Sequence, residues 1–242
     1  PTPILCRPFE FGADIVIHST SKYLDGHAAV LGGVIVDSGI FDWEKSGKFD
    51  CLTTPDESYH GVVYTKSFGK AAYITKCRTQ LMRDLGTQMS PNSAFLLNMN
   101  MQTLHLRMAC HCENALRVAQ FLEHHPKIAW VNYPGLKSNK YYDLAQKYLP
   151  NGCSGVISYG IKGGKEQAKV YMEALKLAHM EIHVADIKTC CLHPASTTHR
   201  QLNDQQLEAC GVGPDLIRMS VGVEHYSDII ADIEQALEKV KA

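Results

Sequence analysis

Two short apolar runs on either side of a polar turn constrain the fold of this chain more than any other feature. They occupy residues 13–18 and 32–37. Both runs are too apolar for a strand with one solvated face, and this predicts strands buried on both faces, as in an α/β protein. The turn between them, residues 18–27, is dense in hydroxyl side chains and contains a single lysine, Lys22. The sequence therefore predicts a polar loop that leaves a buried sheet and displays Lys22.

The composition and charge are those of a globular protein that binds a small molecule. The chain has 242 residues, 45% of them hydrophobic, and its 24 basic and 25 acidic residues give a net charge of −1. This length closes one large or two small domain cores, which excludes disordered, collagen-like and coiled-coil chains. The interspersed charges oppose a nucleic-acid or anionic-membrane surface. Because apolar runs of about 18 residues and signal-peptide features are missing, we expect a cytoplasmic protein.

The nine cysteines indicate neither a disulfide framework nor a zinc site. Their number is odd, and none of them forms a C-x-x-C pair. Cys110, His111 and Cys112 lie near His105, but neighbouring residues on a helix point in different directions and do not converge on one ion. We therefore predict no metal and expect reduced thiols packed as small hydrophobic side chains.

The rest of the chain alternates between predicted helices and strands. A polar excursion over 42–64 precedes a segment whose helix ends near Gly86, and Ser90 with Pro91 predicts the start of a long helix that ends near residue 124. The predicted strands cover 128–133, 155–161, 182–192 and 216–223. The predicted helices cover 165–177 and 228–240, the latter capped by Ser227. This order predicts an α/β segment, a connecting helix and a smaller α+β domain.

Lys22 and Arg218 are the candidate functional residues. Lys22 follows a predicted buried strand and the hydroxyls of residues 19–21, which suits a Schiff-base nucleophile beside a phosphate group. The alternative is an ordinary solvated lysine. Arg218 lies in an apolar strand, where a guanidinium either grips a carboxylate with two hydrogen bonds or forms a structural ion pair with a buried acidic residue. Hydrolase and nucleotide-binding glycine motifs are missing from the sequence.

Three motifs, in this order, resemble the cysteine and methionine metabolism family of pyridoxal-phosphate enzymes, which has the α/β fold called fold type I. They are IHSTSKYLDGH at 17–27, HPASTTH at 193–199 and LIRMSVGVE at 216–224. The resemblance covers essentially the whole chain. Within the family, DESYHG at 56–61, FGKAAY at 68–73 and LRMACHCEN at 106–114 are typical of the O-acetylhomoserine sulfhydrylase branch.

The resemblance implies a cofactor, a reaction and site residues. Lys22 would form the Schiff base with pyridoxal 5'-phosphate and shuttle protons, Ser19 and Ser21 would bind the cofactor phosphate, and Arg218 would bind the substrate carboxylate. A backbone contact to that carboxylate would come from around residue 183. The implied reaction exchanges the acetate of O-acetyl-L-homoserine for sulfide and gives L-homocysteine. A methionine γ-lyase or cystathionine γ-synthase activity, or a catalytically incomplete chain, are the alternatives.

The resemblance also implies how the chain divides. Residues 1–90 would be the rear part of the large cofactor domain, 91–125 the connecting helix and 126–242 the smaller C-terminal α+β domain. In relatives, the aspartate that pairs with the pyridine nitrogen precedes the position of Thr2. We therefore expect the C-terminal portion of such an enzyme, which needs an N-terminal segment and assembles as a homotetramer built from dimers.

Overall fold

The computed structural model of the protein describes residues 2–241, which form two compact units. The smaller unit contains residues 7–20 and 31–95, and the larger unit contains residues 2–6, 21–30 and 96–241. Residues 21–30, which carry Lys22, thus belong to the larger unit although they lie early in the chain. None of the helices within residues 2–241 is both long and apolar enough to cross a membrane.

The smaller unit starts from an antiparallel ribbon of two strands. Strands β1 (Ile15–Ser19) and β2 (Gly33–Asp37) pair with Ile15 opposite Asp37 and Ser19 opposite Gly33. Both strands were predicted, but burial on both faces is wrong for the described chain, where Ile17 is 71% exposed and Val36 40% exposed. The ribbon has no third strand among the described residues. Val16 is buried, whereas Ile17 and residues 34–36 remain exposed.

Short helices follow the ribbon and build a small aromatic core. They are α1 (Trp43–Ser46), α2 (Asp50–Thr53), α3 (Tyr64–Phe68), α4 (Ala72–Lys76) and α5 (Arg83–Leu85). The excursion predicted at 42–64 is therefore partly helical, because Trp43, Leu52 and Tyr64 are buried together. Gly86 ends the last helix with a φ of 67°, as predicted.

The predicted connecting helix consists of two helices, α6 (Pro91–Met101) and α7 (Leu104–His124). The break lies at residues 102–103, where the carbonyl oxygen of Asn100 accepts hydrogen bonds from the Thr103 hydroxyl and the Arg107 guanidinium. The predicted start is confirmed, since the Ser90 hydroxyl accepts the Ser93 N–H at 3.1 Å, and the predicted end near residue 124 is confirmed as well.

The larger unit is a five-stranded sheet covered by helices. The strand order is β3-β4-β7-β6-β5, with β5 parallel to β6 and the other pairs antiparallel. The strands are β3 (Ile128–Asn132), β4 (Val156–Ile161), β5 (His179–Met180), β6 (Cys190–Leu192) and β7 (Leu216–Ser220). The helices are α8 (Tyr142–Tyr148), α9 (Gly164–Ala174), α10 (Asp204–Ala209) and α11 (Tyr226–Leu237).

The core of the larger unit lies between the sheet and helices α7, α9 and α11. On β4 and β7 alternate side chains are fully buried, namely Ile157, Tyr159, Ile161, Ile217 and Met219. Because side chains of a strand alternate between faces, Arg218 lies on the face opposite this core. An arginine in this apolar strand is therefore half-buried outside the core rather than inside it.

Two further local predictions are wrong. Residues 182–192 do not form one strand, because β5 and β6 are separated by a loop over residues 181–189, which we call the 181–189 loop. The N-cap of α11 is His225 rather than Ser227, since a ring nitrogen of His225 accepts the Ser227 N–H at 3.3 Å.

Candidate active site

Lys22 lies in a distorted helical turn that begins where β1 ends. The turn, Thr20–Leu24, has π-helical hydrogen bonding, but Lys22 itself has φ −100° and ψ −135°, which no helix contains. Lys22 is half-buried, and its neighbours Ser21 and Tyr23 are buried. The local backbone therefore presents one lysine from an otherwise closed turn.

Arg107 of α7 fastens this turn from behind. Its guanidinium donates to the carbonyl oxygens of Tyr23 at 2.8 Å and Leu24 at 3.3 Å. Gly26, with φ +71°, makes this approach possible, because a Cβ there would overlap the guanidinium. Burial lowers the pKa of Arg107 from its ordinary value, against the opposing charge of Asp25.

Asp25 closes the other side of the turn and is fully buried. Its carboxylate accepts hydrogen bonds from Asn100 Nδ2 at 2.7 Å, Ala29 N at 2.8 Å and Val30 N at 3.2 Å. Burial opposes ionisation of this carboxyl, but the hydrogen bonds outweigh it and lower the pKa of Asp25. The backbone after Lys22 is thereby held in one conformation.

Tyr23 ties the turn to the central sheet. Its hydroxyl accepts the Gly155 N–H at 2.8 Å, just before β4, and its ring meets the ring of His111 edge-on at 5.1 Å. Burial raises the pKa of Tyr23 to about 12. The phenol thus stays neutral and serves as a structural anchor next to Lys22.

On its open side, Lys22 meets the 181–189 loop. Its Nζ lies 3.5 Å from Nδ1 of His183. Burial, and next the charge of Lys22, lower the pKa of His183. His183 Nε2 is buried without a hydrogen-bond partner among the described residues. Sequence reasoning had placed only a backbone contact here, so this side chain was missed.

Arg218 reaches the same loop from β7. Its Nη2 donates to the carbonyl oxygen of Ile182 at 2.6 Å, and burial lowers its pKa. Bonds to other elements hold the loop, among them those of Ala185 N, which donates to Ser220 Oγ at 2.7 Å, and of Ile187 N, which donates to Gly26 O at 2.9 Å. Lys22 and Arg218, the two residues singled out from the sequence, therefore contact adjacent residues.

The structural ion pair considered for Arg218 is not formed in residues 2–241, where no carboxylate lies within ion-pair distance of this guanidinium. One of the five N–H groups of Arg218 donates to Ile182 O. The other four have no hydrogen-bond partner among the described residues. The arrangement leaves Arg218 able to bind a planar anion such as a carboxylate.

Comparison with known proteins decides the family. The family model described as Cys/Met metabolism PLP-dependent enzyme matches residues 1–238. The chain belongs to this family. The match confirms the predicted family and, with the structural likeness below, the predicted fold type I class. Pyridoxal phosphate, which the family name specifies, is the cofactor predicted from the motifs.

Individual members of the Cys/Met metabolism family are similar over nearly the whole chain. It is 51% identical to a homocysteine synthase of Schizosaccharomyces pombe, over 97% of the chain and 55% of that protein. It is 45% identical to an O-acetyl-L-homoserine sulfhydrylase of Leptospira meyeri, over 99% of the chain and 56% of that protein. The chain thus spans little more than half the length of the curated relatives it matches.

A solved structure of similar sequence supports the family assignment. The putative O-acetylhomoserine (thiol)-lyase of Campylobacter jejuni, which contains an N'-pyridoxyl-lysine-5'-monophosphate, matches with a TM-score of 0.91 and 37% identity. The match covers 98% of this chain and 56% of that one.

The residues around Lys22 fit the cofactor of the Cys/Met metabolism family. Lys22 forms no ion pair with a carboxylate in residues 2–241, so its amine is available for an aldehyde. Thr20 Oγ1, between Ser19 and Ser21 in the sequence, is buried without a hydrogen-bond partner among the described residues. A buried hydroxyl in that state suits an anionic acceptor such as a phosphate. Ser19 is exposed and Ser21 buried.

The other motifs have structural partners. His193 contacts the Ser196 hydroxyl and Pro214 O, both at 2.8 Å, so HPASTTH forms a shaped turn. His111, which lies on helix α7, donates from Nδ1 to Val221 O at 2.7 Å. No group of three or more histidine, cysteine or acidic side chains suited to a metal occurs within residues 2–241.

Proposed function

We propose that the chain acts in a pyridoxal-phosphate enzyme that exchanges the acetate of O-acetyl-L-homoserine for sulfide and releases L-homocysteine and acetate. One observation carries the proposal: Lys22 and Arg218 contact the adjacent residues His183 and Ile182 of one loop. An amine and a guanidinium that contact adjacent residues of one loop suit an amino acid whose Cα faces the amine while its carboxylate meets the guanidinium. The names of the similar sulfhydrylases and homocysteine synthases support the substrate and the sulfur donor.

Each residue has a stated role in this proposal. Lys22 Nζ would hold the cofactor in the absence of substrate. Once the substrate amine has taken its place, the freed Lys22 amine would remove the Cα proton and then one Cβ proton, and it would return both after sulfur has added. Pyridoxal phosphate held at Lys22 would supply an electron sink for the pair left at Cα. Arg218 holds the α-carboxylate, and Ser19 and Ser21, with Thr20, donate hydrogen bonds to the phosphate. At Cγ the bond to the acetate oxygen breaks and a bond to sulfur forms.

The relatives also suggest partners. Because the chain spans 55% of the homocysteine synthase it resembles, we infer that it works together with an N-terminal segment of the same enzyme and within a homo-oligomer. Its cellular location stays a prediction from the sequence. A chain that is fully active alone and monomeric would contradict this inference.

The test of the function is reductive trapping combined with product analysis. Pyridoxal phosphate and borohydride are added to the chain alone and to the chain coexpressed with the N-terminal segment of a homocysteine synthase. Peptide mass spectrometry then locates the pyridoxyl group. We expect the label on Lys22, homocysteine from O-acetylhomoserine and sulfide, and no thiol release from methionine.

Two matched variants complete the test. Lys22→Arg should lose the label and the product, whereas Lys48→Arg, a change of the same kind on the smaller unit, should keep both. Labelling only on other lysines, or unchanged product formation by Lys22→Arg, would overturn the proposed function.

A further inference from the structure

His183 makes a contact that the proposed reaction does not use. The residue lies in the 181–189 loop, with Nδ1 at 3.5 Å from Lys22 Nζ. The charged groups that act on it are Lys22, Asp186, Glu181 and Asp25, of which Lys22 has the largest effect. Its side chain is therefore coupled first of all to the amine of the candidate active site.

The contact fixes the protonation state of the ring. The Lys22 ammonium has donors only, so Nδ1 of His183 must accept and carry no proton. The proton of the neutral ring is then on Nε2. Burial and the charge of Lys22 lower the pKa of His183, which keeps the ring neutral near pH 7. Nε2 thus becomes an N–H donor that is buried without a partner among the described residues.

The 181–189 loop does not need this side chain to stay in place. It is bonded through Ile182 O to Arg218, through Ala185 N to Ser220 and through Ile187 N to Gly26. None of these three bonds involves the imidazole. The ring is half-buried and takes no part in these three bonds. One nitrogen lies at the amine, and the other is a buried atom without an acceptor among the described residues, which points to a role in the site.

We propose that His183 is the positioning residue of Lys22, accepting a hydrogen bond from its amine at Nδ1 and offering Nε2–H to an oxygen of a bound ligand. The proposal rests on the proposed function only in taking Lys22 as the residue that carries the cofactor. Its effect is to hold the amine at one place between the turn and Arg218. A hydrogen bond to a charged group is strong enough for its loss to slow cofactor capture by about tenfold.

Three substitutions separate the two nitrogens. The amide oxygen of His183→Asn lies about where Nδ1 lies and preserves the bond to Lys22. The longer His183→Gln places its amide near Nε2 instead, and His183→Leu removes both nitrogens and leaves an apolar side chain. His105→Leu, on the exposed side of α7, is the matched control.

The experiment measures the rate at which borohydride fixes pyridoxal phosphate on Lys22. Wild type, His105→Leu and His183→Asn should label Lys22 at similar rates, and His183→Leu and His183→Gln about tenfold more slowly. Thermal unfolding checks the fold of every variant. Equal rates for wild type and His183→Leu would overturn the proposal, and so would His183→Asn as slow as His183→Gln.

A second measurement is independent of the cofactor. In ¹⁵N NMR spectra, His183 should show the tautomer with the proton on Nε2, and Lys22→Met should raise the pKa of His183 while leaving that of His193 unchanged. An unchanged pKa of His183 in Lys22→Met would overturn the contact between the two side chains. Wild type that is not labelled on Lys22 would overturn the proposed function, and the NMR result would still decide the contact between Lys22 and His183.

Discussion

Arg218 donates a 2.6 Å hydrogen bond to the carbonyl oxygen of Ile182, the residue immediately before the one that meets Lys22. The Arg218 guanidinium and the Lys22 amine thus contact neighbouring residues of the 181–189 loop. A substrate bound by both would have its carboxylate and its Cα placed by one loop.

Replacing Arg218 by lysine tests whether this guanidinium binds the substrate carboxylate. Arg218→Lys keeps a positive charge but loses the planar pair of donors, so we expect the KM for O-acetylhomoserine to rise about tenfold or more, with a smaller change in kcat. Steady-state kinetics on the product-forming preparation measures both constants. Arg200→Lys, an exposed arginine after the HPASTTH turn, should leave KM unchanged. An unchanged KM for Arg218→Lys would contradict the role assigned to this residue.

Gly26→Ala should cost more stability than a positive φ alone explains. A methyl group at Gly26 would both force an L-residue to φ +71° and displace Arg107, and we expect a loss of about 3 kcal/mol in the free energy of unfolding. Gly47→Ala is the matched control, because Gly47 has φ +61° but open space around it, and it should lose only about 1 kcal/mol. Urea unfolding measures both. Equal losses would show that the Arg107 contact is unimportant.

The stability of the chain should fall as the pH drops below about 6.5. Burial is the main cause that lowers the pKa of His111, so the native state takes up a proton less readily than the unfolded state. The contribution of His111 is complete above the unfolded pKa and is lost below it, by up to about 1.4 kcal/mol per pH unit. Urea unfolding between pH 5 and 8 measures this slope.

The matched variants for this pH effect are His111→Asn and His105→Asn. Asparagine at 111 can still donate to Val221 O but does not titrate, so the slope should become shallower. The exposed His105→Asn should keep the slope of wild type. The prediction fails if both variants have the slope of wild type.

Asp232→Ala should unfold more easily because three backbone N–H groups would lose their acceptor. The buried carboxylate accepts from Lys176, Leu177 and Ala178 at 2.8–2.9 Å and so fixes the chain just before β5. We expect a loss of about 3 kcal/mol by chemical denaturation. The exposed Asp228→Ala, on the same helix, should lose less than about 1 kcal/mol. A loss of less than about 1 kcal/mol for Asp232→Ala would contradict the importance of these three hydrogen bonds.

The parts of the fold that follow from local pattern could be predicted from the sequence. Apolar runs and helical spacing located β1, β2, β3, β4 and β7, and Ser90 with Pro91 located the start of α6. Lys22 stood out as the lysine of a hydroxyl-rich loop after an apolar run, and Arg218 stood out as a charged residue in an apolar strand. The motif resemblance supplied their proposed roles.

The parts that depend on distant partners could not be predicted. Residues 182–192 have the apolar content of a strand, yet the N–H groups of Ala185 and Ile187 bond to Ser220 and Gly26 rather than to a neighbouring strand. Ala185 also adopts φ 74°, which no strand contains. His183 escaped notice for the same reason, because only the folded loop brings it to Lys22.

The contact between Lys22 and His183 joins residues 161 positions apart. Closing so long a loop carries a large entropy cost, and contacts of this span form late, after local helices and hairpins. A refolding or growing chain therefore exposes the Lys22 amine long before its partner arrives. The rate at which the Lys22 amine becomes inaccessible to an added reagent during refolding therefore measures how fast the larger unit completes its fold.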